Sequence, residues 1–402
     1  MNINMEQFER FDIEKKPVKE KLYLTPLAWL LSLPSIWYRR LKVNKVNMKG
    51  LKPPYVLLCT HHAFIDFKVT TRAIFPRRAN YVVAIDGFIK REKLLRNVGA
   101  IMKRKFTNDT VLFRHIKYGL NQLNYIVAIY PEARYSLIGT TAILPDSLGK
   151  MVKTLKKPVV VLNMHGNYLT QPVWNLHMRY VPLKADMTQI LDVNQINDLS
   201  VDEINQKIRS AFHYDEYQWQ FDNKIKIKYK HRAKNIHKVL YQCPSCKTEH
   251  EMDVYGRLKT TKGKTEFPHI PDWYEWERKN VLDEINKGKY QFEDEVRVDA
   301  LPNSKGYIPI GKGKLTHSIK GFELIVDDQT YPLHLIKEPL SMYGCHIEYD
   351  YMGKGDCIDL STMHDTYYIY PLNKKDVVTK ISLATEEIYK IEKEKFNHAH
   401  KM

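Results

Sequence analysis

Cysteine is scarce in this chain: five among 402 residues, at positions 59, 243, 246, 345 and 357. An odd count with a single close pair excludes a disulfide framework and fits a reducing, cytoplasmic environment. Long apolar runs are missing too. The most apolar stretch, Leu22 to Tyr38, falls short of the ~20 residues of a membrane-crossing helix and is interrupted by Pro26 and Pro34. The N-terminus mixes acids and bases with no apolar segment behind a basic start, so no cleaved signal peptide is expected. No Gly-x-Ser-x-Gly elbow is present, which argues against a serine esterase. There is no internal repeat and no low-complexity tract, and 44% hydrophobic with 27% charged residues excludes disorder, collagen and coiled coil.

What is abundant is positive charge. Sixty-three Lys and Arg against 46 Asp and Glu leave a net +17, which calls for an anionic partner such as a phospholipid surface, nucleic acid or a phosphorylated substrate. The length predicts two or three domains. Leu22 to Tyr38 carries two tryptophans, two tyrosines and a basic flank, Arg39 to Lys42, a composition suited to the headgroup layer of a membrane. A buried pair of core helices is the alternative for the same segment. From Tyr55 to about Asp186, strand-like runs (Tyr55 to Cys59, Tyr81 to Ile85, Tyr125 to Tyr130, Val159 to Leu162, Met178 to Leu183) alternate with helical ones (Asp109 to Leu123, Ser147 to Lys156). That alternation predicts an α/β layer fold. Ser200 to Glu203 reads as a capping box opening a helix to about Phe212. After residue 290 short strands dominate, ending in an amphipathic helix over Asp376 to Phe396 with Val377, Ile381, Ala384, Ile388 and Ile391 on one face. The expected organisation is a membrane-associating segment (1–45), an α/β domain (46–215), a basic linker with a ribbon-like segment (216–290) and a mostly β domain with a terminal helix (291–402).

Chemistry concentrates where strands stop. His61 and His62 follow the strand ending at Cys59, and Asp66 lies five residues beyond His61, in the first turn of a helix. A carboxylate at that spacing can hold one imidazole nitrogen and leave the other as a base for a hydroxyl. A strand-end histidine followed by a helix-capping aspartate is the plainer reading of the same residues. Glu132, Arg134 and Ser136 follow the strand ending at Tyr130. Lys103, Arg104 and Lys105 close a stretch with seven Lys/Arg against one Glu between residues 88 and 105. Such cations suit a phosphate.

In this order and spacing the blocks Thr60 to Asp66, Gly99 to Arg104, Tyr130 to Ser136 and Pro158 to Leu162 resemble those of the glycerolipid acyltransferases of the lysophosphatidic acid acyltransferase type, over about residues 20 to 190. The resemblance implies a His-x4-Asp dyad with His61 as general base and Asp66 as its orienting partner. It also implies a phosphorylated acceptor held by Lys103, Arg104, Glu132, Arg134 and Ser136. Thr60 stands where the family has Asn, Ala133 where it has Gly, and Tyr135 where it has Arg. The implied reaction moves a fatty acyl group from a thioester, acyl-CoA or acyl carrier protein, to a lysophospholipid hydroxyl at the cytoplasmic membrane face, with no cofactor and no metal. A catalytically inactive lipid-binding scaffold is one alternative. The other is a nucleic-acid-binding protein using the basic run over residues 221–240, although no nucleic-acid partner is expected beside so apolar an N-terminal segment.

Cys243-Pro-Ser-Cys246 resembles half a zinc ribbon. Zinc takes four ligands, and Lys259 and Lys262 stand where a second pair belongs, so a metal-free remnant is expected, with His237, His250 and His269 as the substitute ligands otherwise. The final segment resembles a pleckstrin-homology-like domain in its element order, with Lys305, Lys312 and Lys314 expected in or beside loops.

Overall fold

The computed structural model describes residues 8–107, 109–252, 266–327 and 332–399. The chain folds into two compact units, one formed by Asp12–Lys103 with Asp109–Tyr229, the other by Met1–Phe11, Arg104–Asn108 and Lys230–Met402.

The first unit is built on a seven-stranded sheet: β1 (Lys42–Val46), β2 (Val56–Cys59), β3 (Ala79–Ala84), β4 (Ile101–Lys103), β5 (Ile126–Ile129), β6 (Val159–His165) and β7 (Lys184–Leu191). The strand order is β1-β7-β6-β2-β5-β3-β4. All neighbours are parallel except β6 and β7. The central strands read as unbroken apolar runs because both faces are covered. On one face Leu57, Ala128 and Leu162 pack with Val69 and Ala73 of the helix Asp66–Ile74 and with Ile36 of the helix Thr25–Tyr38. On the other, Leu58, Ile129 and Val161 meet Leu120 of Thr110–Asn121, Val152 of Ser147–Leu155 and Ile208 of Val201–Ala211. Local signals place these helices. Asp109 caps the first by accepting from Val111 and Leu112, and Ser200 with Glu203 forms the expected capping box.

One expectation and one alternative reading for this unit, the strand over Met178 to Leu183 and the buried pair of core helices over Leu22 to Tyr38, need correction. The run Met178 to Leu183 is not a strand, and β7 begins at Lys184. Pro182 inside the run has no N–H to give to a ladder. The segment Leu22 to Tyr38 is one helix after a short 3-10 turn, with Pro34 inside it. Its burial is inverted: Thr25 and Ser32 face inward beside Leu33 and Ile36, while Leu22, Leu27, Leu30, Leu31, Trp37 and Tyr38 are exposed. Among the described residues no helix is long and apolar enough to cross a membrane.

The second unit carries an antiparallel sheet of β8 (Phe292–Asn303), β9 (Gly306–Ser318), β10 (Gly321–Val326), β11 (Leu333–Lys337), β12 (His346–Glu348), β13 (Cys357–Ser361) and β14 (Thr366–Pro371), in the order β11-β10-β9-β8-β14-β13-β12. A four-stranded meander and a three-stranded one are thus joined where β8 pairs with β14. The final helix, Val378–Ala399, buries Val378, Ile381, Ala384 and Ile388, with Ile391 half-buried. Two elements go beyond the sequence reading. One is strand β13, and the other is the helix Ile270–Asn286, which starts with Pro271 in its first turn and buries Trp273, Glu277, Val281 and Ile285. Glu277 breaks the apolar pattern because its carboxylate accepts from the Gln242 backbone N–H (2.8 Å); burial holds its pKa well above the ordinary value. Lys312 and Lys314 lie within β9 and not in loops, and pair across the strands with Glu295 (3.2 Å) and Glu293 (2.6 Å). Lys305 sits in the turn before β9 and pairs with Glu9 (3.3 Å).

Arg278 joins the two long helices of this unit, donating from Nη1 to Glu386 (2.6 Å) and Glu387 (3.0 Å), both carboxylates buried. Replacing it by leucine takes the guanidinium from two buried carboxylates, of which Glu387 keeps Lys390 (2.6 Å), so Arg278→Leu should lower unfolding free energy by about 3 kcal/mol. Urea denaturation followed by circular dichroism measures this, and a midpoint equal to wild type would refute it.

Candidate active site

Strands β6, β2 and β5 are adjacent and parallel, so their carboxyl ends open on the same edge of the sheet, the edge at which open α/β sheets bind ligands. Each end delivers part of one cluster: His61 and Asp66 after β2, Glu132 after β5, Asn167 after β6.

His61 Nδ1 and Asp66 Oδ2 are 3.1 Å apart. The same oxygen accepts the backbone N–H groups of His62 (2.6 Å) and Ala63 (3.0 Å), so the turn into the helix Asp66–Ile74 wraps around its own first carboxylate. Asp66 Oδ1 takes the amide of Asn167 at 2.8 Å. Asp66 is buried, whereas the His61 side chain keeps 22% of its surface open. Among the described residues no group hydrogen-bonds His61 Nε2. A ring whose Nδ1 is committed to a carboxylate and whose Nε2 is open to a ligand has the division of labour of a general base. Tyrosines flank the ring, Tyr130 at 4.4 Å and Tyr135 at 4.2 Å between centroids.

Glu132 plays a different part from the one the resemblance assigns it. It is 1% exposed, and its oxygens accept from the His61 backbone N–H (2.9 Å), the Ala142 N–H (2.9 Å) and the Tyr214 hydroxyl (2.9 Å). Burial raises its pKa, and His62 and these donors pull it back. The carboxylate therefore ties the loop after β2 to the loop after β5 and positions His61; it is not placed to receive a phosphate. The Ser136 backbone N–H completes the tie by donating to the His61 carbonyl (2.8 Å). Its hydroxyl is spent on the turn, donating to the Thr140 carbonyl and accepting from the Gly139 N–H. Thr60 joins strands, its Oγ1 accepting from Met164 N (3.1 Å).

The expected cations fall on different stretches of the two units. Lys103 ends β4, three strands from β2 in the sheet order, which is about 14 Å at the usual strand spacing. Burial pushes its ammonium pKa down, with Asp109 opposing. Arg104 belongs to the second unit, where its Nη2 donates to the His364 carbonyl (2.7 Å). Arg134 is buried on the loop after β5. His62 is fully buried against the Tyr214 ring (4.5 Å) with neither ring nitrogen hydrogen-bonded, so of the two histidines only His61 has the geometry of a base. His165 is held between Glu216 (3.3 Å) and Asp186 (3.6 Å) and stacks on Trp219. Asn167 lies in the strand-end segment His165 to Tyr168, which the sequence marks as a possible contributor to the cleft through its histidine; Tyr214 carries no signal because it lies far from the blocks it supports and follows no spacing rule.

The Cys243 to Cys246 segment is a tight turn in which Cys243 N donates to Thr248 O and Lys247 N to Cys243 O. Among the described residues no cluster of three or more His, Cys, Asp or Glu side chains is arranged to hold a metal ion. Lys259 and Lys262 lie outside the described residues. Cys246 is exposed and its thiol pKa is lowered by hydrogen bonds to Thr248, whereas the other four cysteines are buried. Iodoacetamide at neutral pH should therefore alkylate Cys246 first, as read by peptide mass spectrometry; equal labelling of all five would contradict that burial.

Ala133 has φ +57°, at the position where the resembling block carries glycine. A Cβ in the left-handed region costs about 1–2 kcal/mol, partly offset by the smaller entropy of alanine in the unfolded chain. Ala133→Gly should thus raise stability by on the order of 0.5 kcal/mol with activity intact, measured by thermal unfolding; a lower melting temperature would count against it.

No family model matches the sequence, and no curated protein does. Among solved structures the chain is similar to the 1-acyl-sn-glycerophosphate (LPA) acyltransferase PlsC from Thermotoga maritima, with 10% identity and a TM-score of 0.40, over 51% of this chain and 81% of that one.

Proposed function

We propose that the protein is an acyltransferase that moves a fatty acyl group from a thioester, acyl-CoA or acyl carrier protein, to a hydroxyl of a lysophospholipid or related glycerolipid. The observation that carries this reading is the His61–Asp66 pair, with Nδ1 held at 3.1 Å and Nε2 open at the carboxyl edge of a parallel sheet. Nε2 takes the acceptor's hydroxyl proton while the oxygen attacks the thioester carbonyl. The tetrahedral adduct then expels the thiolate, which receives that proton from the imidazolium, so the ring ends as it began. Asp66 keeps the proton of the resting ring on Nδ1 and stabilises the transient cation.

A lipid acceptor is supported by the inverted helix Thr25–Tyr38 of the same unit. Water does not select a face that buries Thr25 and Ser32 and exposes Leu27, Leu30, Leu31 and Trp37; a headgroup and acyl boundary does. The exposed flanking cations Arg40 and Lys42 fit an anionic leaflet. Peripheral attachment at the cytoplasmic face of the membrane follows from this reading. The pleckstrin-homology-like reading of the second unit is supported by its two joined meanders and closing helix.

His61→Ala should lower kcat about 10³-fold, and Asp66→Asn by a comparable factor, because an amide presents the wrong partner to Nδ1. The assay is acyl transfer from palmitoyl-CoA and palmitoyl-acyl carrier protein to a panel of lysophospholipids, read by lipid mass spectrometry. Undiminished turnover in His61→Ala would remove the proposed mechanism. Replacing Leu30, Leu31 and Trp37 together by serine should release the protein from anionic vesicles in co-sedimentation; equal binding would remove the proposed membrane face.

A further inference from the structure

Asp66 has a partner outside the turn that surrounds it, a residue 101 positions away in sequence. Asn167 follows β6 and is fully buried, with Nδ2 2.8 Å from Asp66 Oδ1. Its own place is well determined. Gly166, just before it, has φ +86°, and a Cβ there would meet the Pro182 carbonyl at 2.4 Å. The Gly166 N–H donates to the buried carboxylate of Glu216 (2.7 Å). The neighbouring Met164 sulfur, 3.5 Å from Nδ2, is the amide's other contact, and Asn167 Oδ1 is buried with no hydrogen-bond partner. Leaving an acceptor unpaired costs free energy, and the amide turned the other way would set two acceptors against each other, since an ionised carboxylate only accepts.

We infer that Asn167 is a positioning residue for the proposed acyl transfer. It donates to Asp66 Oδ1, holds that carboxylate in one orientation, and so fixes the oxygen that orients His61. This role rests on the acyltransferase reading above and adds a residue that the sequence blocks do not contain. With His61, His62 N and Ala63 N on Oδ2 and Asn167 on Oδ1, both oxygens of Asp66 are engaged.

The test uses Asn167→Asp, which keeps size and shape but replaces the donor by an acceptor, with Asn167→Leu as the apolar counterpart. Both variants are checked for native circular dichroism. Assayed with palmitoyl-CoA and the lysophospholipid panel, each should lose about 10- to 100-fold in kcat at pH 8 with KM nearly unchanged. The ratio of Asn167→Asp to wild-type activity should climb as pH falls from 8 to 6, because a protonated carboxyl at position 167 donates again, whereas the Asn167→Leu ratio should stay flat. Other titratable groups face this cluster: His61, His62 and Glu132 around Asp66, Glu216 on the Gly166 N–H, and Cys59 and Tyr130, whose pKa values burial pushes up so that both stay neutral; all are present in the three proteins, and the Asn167→Leu ratio reports their common contribution. Nitrogen-15 shifts of the His61 ring, assigned by difference with His61→Ala, report the tautomer without need of turnover. Wild type should hold its proton on Nδ1, and the variants should show a mixture at pH 8. An unchanged tautomer, or wild-type kcat in both variants, overturns the role of Asn167 and leaves the His61 mechanism standing. Loss of the mechanism itself would show in His61→Ala, and the tautomer would still decide the case of Asn167.

Discussion

A buried carboxylate must find donors for both oxygens or give up its charge, and in this protein that requirement falls on Asp66. Its oxygens collect a ring nitrogen, two backbone N–H groups and one amide. Three of those donors come from the turn between β2 and its helix, which fixes the shape of the turn; the amide comes from beyond β6, which fixes the distance between two strand ends. Glu132 repeats the arrangement one strand over, gathering His61, Ala142 and Tyr214. Two buried acids thus hold three loops in register around one histidine, and the sheet beneath supplies the parallel edge from which all three loops rise.

The cost of this arrangement is visible beside it. His62 is buried without a hydrogen-bond partner for its ring, the Asn167 carbonyl is unpaired, and Ala133 accepts a left-handed backbone. Local departures of this kind concentrate where a site imposes its geometry on the chain. Aromatic rings take up much of the surrounding space, with Tyr130 and Tyr135 against His61 and Tyr214 against His62.

Much of the α/β unit is legible in the sequence because its signals are local. Apolar runs ending at Cys59, Tyr130 and Leu162 mark strands to within three residues of their ends, Asp109 and Ser200 mark helix starts, and the spacing from His61 to Asp66 survives as a hydrogen bond. What escapes such reading depends on partners distant in sequence. Asn167 is one such residue. Another is Glu277, an acid on a buried helix face that no periodicity rule anticipates until Gln242 is seen beside it. Strand β7 starts later than its apolar run suggests, because Val181 and Leu183 are as apolar as strand residues, yet Pro182 between them cannot join a ladder. The cations between residues 88 and 105 make one group in the sequence, and the chain parts them at Lys103 and Arg104, where it passes from one unit to the other.

That passage has a consequence for any attempt to separate the units. The chain enters the β unit at Arg104 and leaves it again after Asn108, and within that short excursion Lys105 supplies the ammonium 3.3 Å from the buried carboxylate of Asp359 on β13. Arg10, from the opposite end of the sequence, does the same for Asp365 at 3.0 Å. A fragment cut at the obvious linker near residue 230 would therefore keep two acids and discard both of their counter-charges. The β unit is contiguous in space but assembled from three stretches of chain, so it behaves as a module only in the company of the full polypeptide, and gene fusions or truncations that treat it as a detachable tail remove part of its own interior.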